Sequence, residues 1–244
     1  MVTADAGQRV ALARGVWLRL QAALGDANLR TVSALVAYAR YTPEASEAAA
    51  LLASACRTLD EMHPELIGER IYCESYRAFL TEELGEDLTA RRIHDRIVEL
   101  GAGSTDAEAR WRAAQASCHA QLLRGAPEAA IIELTPWASV YSNSPRWWLR
   151  VRAADTALCL GEAKHLLGRN RDAARDLGLA KEIYAHVIQL NEEVEFRRKL
   201  ALADRLLGAV QRSIVRAHGI DASPAETVSR VPKQIRERTV TGIH

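Results

Sequence analysis

The chain has 244 residues, of which 48% are hydrophobic and 26% charged, with a formal net charge of +1. That length can bury a sizeable core, and that composition excludes a disordered or collagen-like chain. The near-neutral charge argues against a dedicated nucleic-acid surface, and because only four of the 32 basic residues are lysine, anion contacts would fall to arginine.

Residues 10–24 (VALARGVWLRLQAAL) form the first apolar stretch. Arg14 and Arg19 interrupt it and no small-residue cleavage site follows, so it reads as an amphipathic helix on its own core and not as a secretory signal. No run of 18 apolar residues occurs, so no spanning helix and no membrane contact are expected. Four cysteines without a CxxC pair argue against a disulfide-stapled secreted domain and read as buried free thiols in a cytoplasmic protein.

Further helix starts are marked by proline in Thr42-Pro43-Glu44, His63-Pro64-Glu65, Ala126-Pro127-Glu128, Ser144-Pro145-Arg146 and Ser223-Pro224-Ala225. Proline suits the first helical position, whose N–H has no partner within the helix. Thr105 with Glu108, and Ser223 with Glu226, have capping-box spacing, and Asn191 is a candidate N-cap. The apolar period is helical: Phe196, Leu200, Ala203, Leu207, Val210 and Ile214 form one stripe. Ala173, Leu177, Ala180, Tyr184 and Val187 form a second, and Trp148, Val151, Ala154, Leu158 and Gly161 a third. The spacing predicts ten or eleven helices, near 8–24, 28–41, 44–61, 65–84, 88–100, 106–124, 127–141, 146–167, 171–190 and 192–217, with a short one from 224. Pro136 should kink or split the seventh. The expectation is an all-α protein with an N-terminal tail at 1–7, a helical repeat domain at 8–220, and a capping helix and tail at 221–244.

Gly25, Gly85, Gly125 and Gly168 fall at the turns, the last three spaced 40 and 43 residues apart, as stacked helical hairpins require. Leu160-Gly161, Gly168, Ala173, Leu177 and Ala180 resemble a tetratricopeptide repeat. Gly125, Ala130 and Leu134, with Cys118 in place of the first-helix glycine, form a weaker copy, and Gly85 with Ala90 a third. The resemblance implies a right-handed stack of antiparallel hairpins with a concave binding face, and binding in place of chemistry. Lys164 and Ala185 depart from the repeat's tyrosine and proline, and Asp155, Leu158, Cys159 and Glu162 stand where the family's carboxylate clamp would be, so that clamp is absent.

Several constellations invite a chemical reading. His63, His94-Asp95 and Asp155 resemble, in order and spacing, the H…HD…D pattern of metal-dependent HD phosphohydrolases. Ile93, Ile97 and Leu100 take the apolar face of that helix, however, which puts the His-Asp pair on the solvated side. Glu162 and His165 have di-iron spacing but lack a second such pair. Cys118-His119 and Cys159 lack clustered zinc spacing. Gly101–Thr105 is a turn without the lysine of a phosphate loop.

Charge is uneven along the chain: residues 61–145 hold 14 acids and 8 bases, and residues 146–220 hold 14 bases and 9 acids. Surface pairing such as Asp172 with Arg175 accounts for much of it. The segment from Tyr141 through Arg146, Trp147, Trp148, Arg150 and Arg152 combines aromatic and basic residues. Adjacent helical positions diverge by about 100°, so Trp147 and Trp148 cannot share one core, and the exposed one beside arginines would anchor a protein or peptide ligand. The expected function is a non-enzymatic binding module, the sensor or scaffold part of a bacterial regulator, with no cofactor or metal. The competing readings are the HD-type phosphohydrolase and a structural subunit of a homo-oligomer.

Overall fold

The computed structural model describes residues 6–141, 144–190 and 193–217. They are all-α. The ten helices among the described residues are α1 (Ala6–Leu24), α2 (Leu29–Tyr41), α3 (Ala45–Met62), α4 (Ile67–Glu83), α5 (Asp87–Gly101), α6 (Ala107–Leu123), α7 (Pro127–Leu134), α8 (Trp147–Leu166), α9 (Asn170–Leu190) and α10 (Val194–Ala217). The expected cap at Asn191, the helix from 224, residues 1–5 of the expected tail at 1–7, and the segment 221–244 lie outside the described residues, while residues 6 and 7 of that tail belong to α1.

The four turn glycines carry the hairpins. Gly25, Gly85, Gly125 and Gly168 all have φ between 71° and 79°, the left-handed region that other residues enter only with strain. After α4, α6 and α8 the residue following the glycine donates its amide back across the last turn (Glu86 to Thr81, Ala126 to Gln121, Arg169 to Lys164, each at 2.9–3.0 Å), closing a Schellman motif.

Proline marks the starts less tightly than expected. Among the described residues Pro127 alone sits in the first turn of an α-helix; after Pro43, Pro64 and Pro145 the helix begins two or three residues later. The cap of α6 is Asp106, not Thr105: its carboxylate accepts the Glu108 amide at 2.8 Å. The helix expected over 127–141 stops at Leu134, and Thr135–Trp137 form a 3-10 turn, because Pro136 has no amide to continue the ladder.

Each helix packs against the next as antiparallel hairpins. Contacts also run from α4 to α6, α6 to α8, α8 to α10, and from α10 back to α2. The even-numbered helices therefore face one another across an interior. α8 is the most enclosed: every residue from Ala153 to Gly161 is buried. Its close partner is α9, whose Ala173, Leu177, Ala180, Tyr184 and Val187 are all buried as the stripe predicts. A β-carbon on Gly161 would lie 2.6 Å from Leu177 Cγ, so only glycine lets the two helices nest.

The expectation of free cysteines is corrected. Cys56 of α3 pairs with Cys73 of α4, and Cys118 of α6 with Cys159 of α8, with Cα–Cα distances of 5.8 and 6.9 Å. Sequence separations of 17 and 41 give no local motif, so only packing reveals the pairs. Among the described residues no helix is long and apolar enough to cross a membrane.

Candidate functional site

The interior between the even helices is charged. Lys199 of α10 donates to Asp155 of α8 at 3.0 Å and to Glu195 one turn earlier at 2.9 Å. Tyr184 of α9 donates its hydroxyl to the same Asp155 oxygen at 2.5 Å. Arg40 of α2 extends the chain, pairing with Glu195 at 3.0 Å and also with Glu193. Burial alone would raise the Glu195 carboxyl, but Lys199 and Arg40 outweigh it and bring it down to about 2. Burial likewise works against Lys199, and the two carboxylates outweigh it, holding the ammonium above its ordinary range. Buried charges with this many partners fix an arrangement more than they stabilise it.

Beside this cluster, Glu108 of α6 forms ion pairs with Arg112 at 2.9 Å and with Arg152 of α8 at 2.8 Å. Two guanidiniums thus share one carboxylate. Burial and the charge of Arg152 both push Arg112 below its ordinary value. Aromatic faces hold the pair: Arg112 lies 4.8 Å from the Tyr72 ring centre and Arg152 5.1 Å from that of Trp111. Trp111 is fixed in turn, its indole N–H donating to Thr156 Oγ1 at 3.0 Å.

Above this floor opens a cleft of about 500 Å³. One wall is apolar, built from Leu29, Val32 and Val36 of α2 with Leu59 of α3; the other carries Trp148 and Leu149 of α8. Tyr72, Glu108, Arg112 and Arg152 line its polar part, and the exposed Ser33 and Glu69 border it. The volume falls within the range of small-ligand and short-peptide pockets, and the combination of apolar walls with a few convergent polar groups is typical of them.

No family model matches the chain, and no curated protein does. A solved structure, BtubC (BKLC) from P. vanneervenii, is similar at 14% identity with a TM-score of 0.49, over 94% of this chain and 99% of that one.

The aromatic-basic segment is divided by the structure. Trp148 is 46% exposed and lines the cleft, as does Arg152. Arg146 stacks its guanidinium 5.7 Å from the Trp148 ring centre. Trp147 packs edge-on against Phe196 at 6.4 Å and also edge-on against Trp148 itself at 6.0 Å. Tyr141 sits edge-on to Trp111 at 6.1 Å, and Arg150 is half-buried.

The four residues of the HD-like pattern do not gather. His63 Nε2 lies 2.7 Å from the Ala27 carbonyl, Asp155 holds Tyr184 and Lys199, and Asp95 pairs with Arg124 at 2.6 Å. His94 is not on the solvated side as expected: it is 4% exposed, with Nε2 2.5 Å from Glu82. His165 binds the Asn170 side chain at 2.8 Å, apart from any second carboxylate–histidine pair. At Gly101 a β-carbon would meet that of Ala113 at 2.5 Å, so the first glycine of the Gly101–Thr105 run serves helix packing. Asp172 and Arg175 do pair, at 3.4 Å.

Proposed function

We propose that the chain is a non-catalytic binding module of tetratricopeptide-like construction that holds a short peptide segment in the cleft between α2 and the start of α8. The observation that carries this reading is the cleft itself, where an apolar wall and a half-exposed tryptophan stand over two arginines sharing one glutamate. An apolar side chain of the ligand enters between Val32, Val36 and Trp148. A ligand carboxylate or main-chain carbonyl takes the second share of Arg112 and Arg152, whose forks suit such acceptors. The tetratricopeptide likeness is supported by the hairpin glycines and by the nesting of Gly161 on Leu177. The role is that of a sensor or scaffold in a bacterial regulatory system, acting through a protein or peptide partner.

Selection of peptides from a random display library, followed by titration of the intrinsic tryptophan fluorescence, tests the proposal. Selected peptides should share an apolar anchor beside an acidic group or a free C-terminus. Their affinity should drop at least about tenfold in Ser33→Trp, which plugs the cleft from an exposed position, and in Trp148→Ala. Peptides that bind equally well to both variants would remove the cleft as the site, and failure to select any sequence would remove the function.

A further inference from the structure

Apart from the cleft, Glu82 at the end of α4, His94 in the middle of α5 and His119 in the second half of α6 converge on one spot. Each offers a ligating atom, and these three atoms lie within 4.8 Å of one another. Among the described residues no other group of three or more histidines, cysteines or carboxylates does so. Glu82 Oε1 is 2.5 Å from His94 Nε2 and 3.4 Å from His119 Nδ1, and the two rings lie nearly parallel with centres 5.1 Å apart.

We propose that Glu82, His94 and His119 bind a divalent transition-metal ion of the zinc class, which ties three consecutive helices together. Ligands at about 2.0–2.2 Å from a tetrahedral zinc ion stand roughly 3.3–3.6 Å apart. The Glu82–His119 separation already meets that spacing. The Glu82–His94 contact is that of a hydrogen bond, and opening it by under about 1 Å exchanges its proton for an ion. Nitrogen-rich ligation selects zinc, cobalt or nickel over calcium or magnesium.

The surroundings favour a dication independently of that geometry. The charges acting most strongly on the two rings, apart from each other, are acidic: Glu82 and Asp95 on His94, and Glu82, Glu162 and Asp155 on His119. His94 Nδ1 has no hydrogen-bond partner, and the ring is held by Glu82 on its Nε2 and by the stacked His119. Three protein ligands leave one tetrahedral position for water.

The test uses the full chain stripped of metal by a chelator, then titrated with zinc by calorimetry and with cobalt by visible absorption. One equivalent should bind, and the cobalt spectrum should lack the intense near-ultraviolet thiolate band that cysteine ligation would give. His119→Ala and Glu82→Gln alter the two more accessible ligands and spare the buried His94; each should weaken zinc binding by about 100-fold or more. His63→Ala and His165→Ala, elsewhere on the surface, should leave it unchanged. Absence of binding, a thiolate band, or an affinity unaffected by His119→Ala and Glu82→Gln would each overturn the site. The readout is independent of any peptide, so it stands or falls separately from the proposed function.

Discussion

Gly161 shows how much one hydrogen atom in place of a methyl group can determine. A β-carbon there would strike Leu177 Cγ at 2.6 Å and approach the Leu177 amide nitrogen at 3.3 Å, so α8 and α9 would have to separate. Gly161→Ala should cost about 1–3 kcal/mol in urea unfolding, against the usual gain from replacing a helical glycine. Stability equal to or above the parent would refute the close approach. A second residue-scale prediction concerns Trp111, fully buried with its indole N–H on Thr156. Thr156→Val keeps the shape and removes the acceptor, so unfolding free energy should drop by about 1–3 kcal/mol; no change would mean that the bond contributes nothing.

The same scale shows where sequence reading succeeds and where it stops. Gly161 and Leu177 were legible because a small residue opposite a large one recurs at helical spacing. Trp148 was legible only as one of a pair, since its stripe with Val151 and Ala154 put it on the apolar face, whereas it is 46% exposed. Glu108, Arg112 and Tyr72 were not, since charged and aromatic residues on α4 and α6 look like ordinary surface until the interior between the even helices is known. His94 misled for the same reason. It adjoins the buried Ile93 on a helix whose apolar side seemed already assigned, yet it turns inward to meet Glu82 and His119, 12 and 25 residues distant in sequence.

At the scale of elements, α10 is the helix whose seat depends most on charge. Glu195 reaches Arg40 of α2 and Lys199 on its own helix, and Arg198 reaches Glu83 of α4 at 2.7 Å. The folded carboxyl of Glu195 titrates near 2, below its ordinary 4.5, so it protonates more readily in the unfolded chain. Its contribution is therefore complete above about pH 5 and is lost as pH falls from there toward 2. Acid titration followed by tryptophan fluorescence, which senses Trp147 against Phe196, should show α10 loosening in that window. Glu195→Gln should flatten the pH dependence between 5 and 2, in rough units, and lower stability at pH 7; an unchanged acid profile would contradict the assignment.

The two disulfides are also features of elements, since each joins one helix to another. Closing loops of 17 and 41 residues restricts the unfolded chain by roughly 3 and 4 kcal/mol respectively. The protein purified without reductant should titrate no thiols in denaturant, and four after reduction, with a lower melting temperature in the reduced form. Four thiols in the unreduced protein would restore the expectation of free cysteines. Helix boundaries were the most legible features of all, because turn glycines and apolar stripes are local signals. The cysteine pairing was hidden, because it depends on which helices touch.

At the scale of the whole molecule, a charged network lies between the even-numbered helices, whose contacts return α10, the last described helix, to α2. A charged interior held by several mutual pairs is rigid, and a cleft above it can offer Arg112 and Arg152 in fixed directions. Rigidity of this kind lowers the ordering cost of binding, so affinity depends on fit more than on area. Of the basic residues on α8 and α10, Arg152, Arg198 and Lys199 are met by acids across the interior.

Hydrogen exchange on the full chain, with and without a selected peptide, tests most directly whether this cleft is where the molecule binds. The account predicts that bound peptide slows exchange together in α2 and in the first turns of α4, α6 and α8, with α7 and the outer side of α9 unchanged. Protection confined to α7, α9 or the exposed end of α10, with the cleft helices exchanging at their free rate, would contradict it.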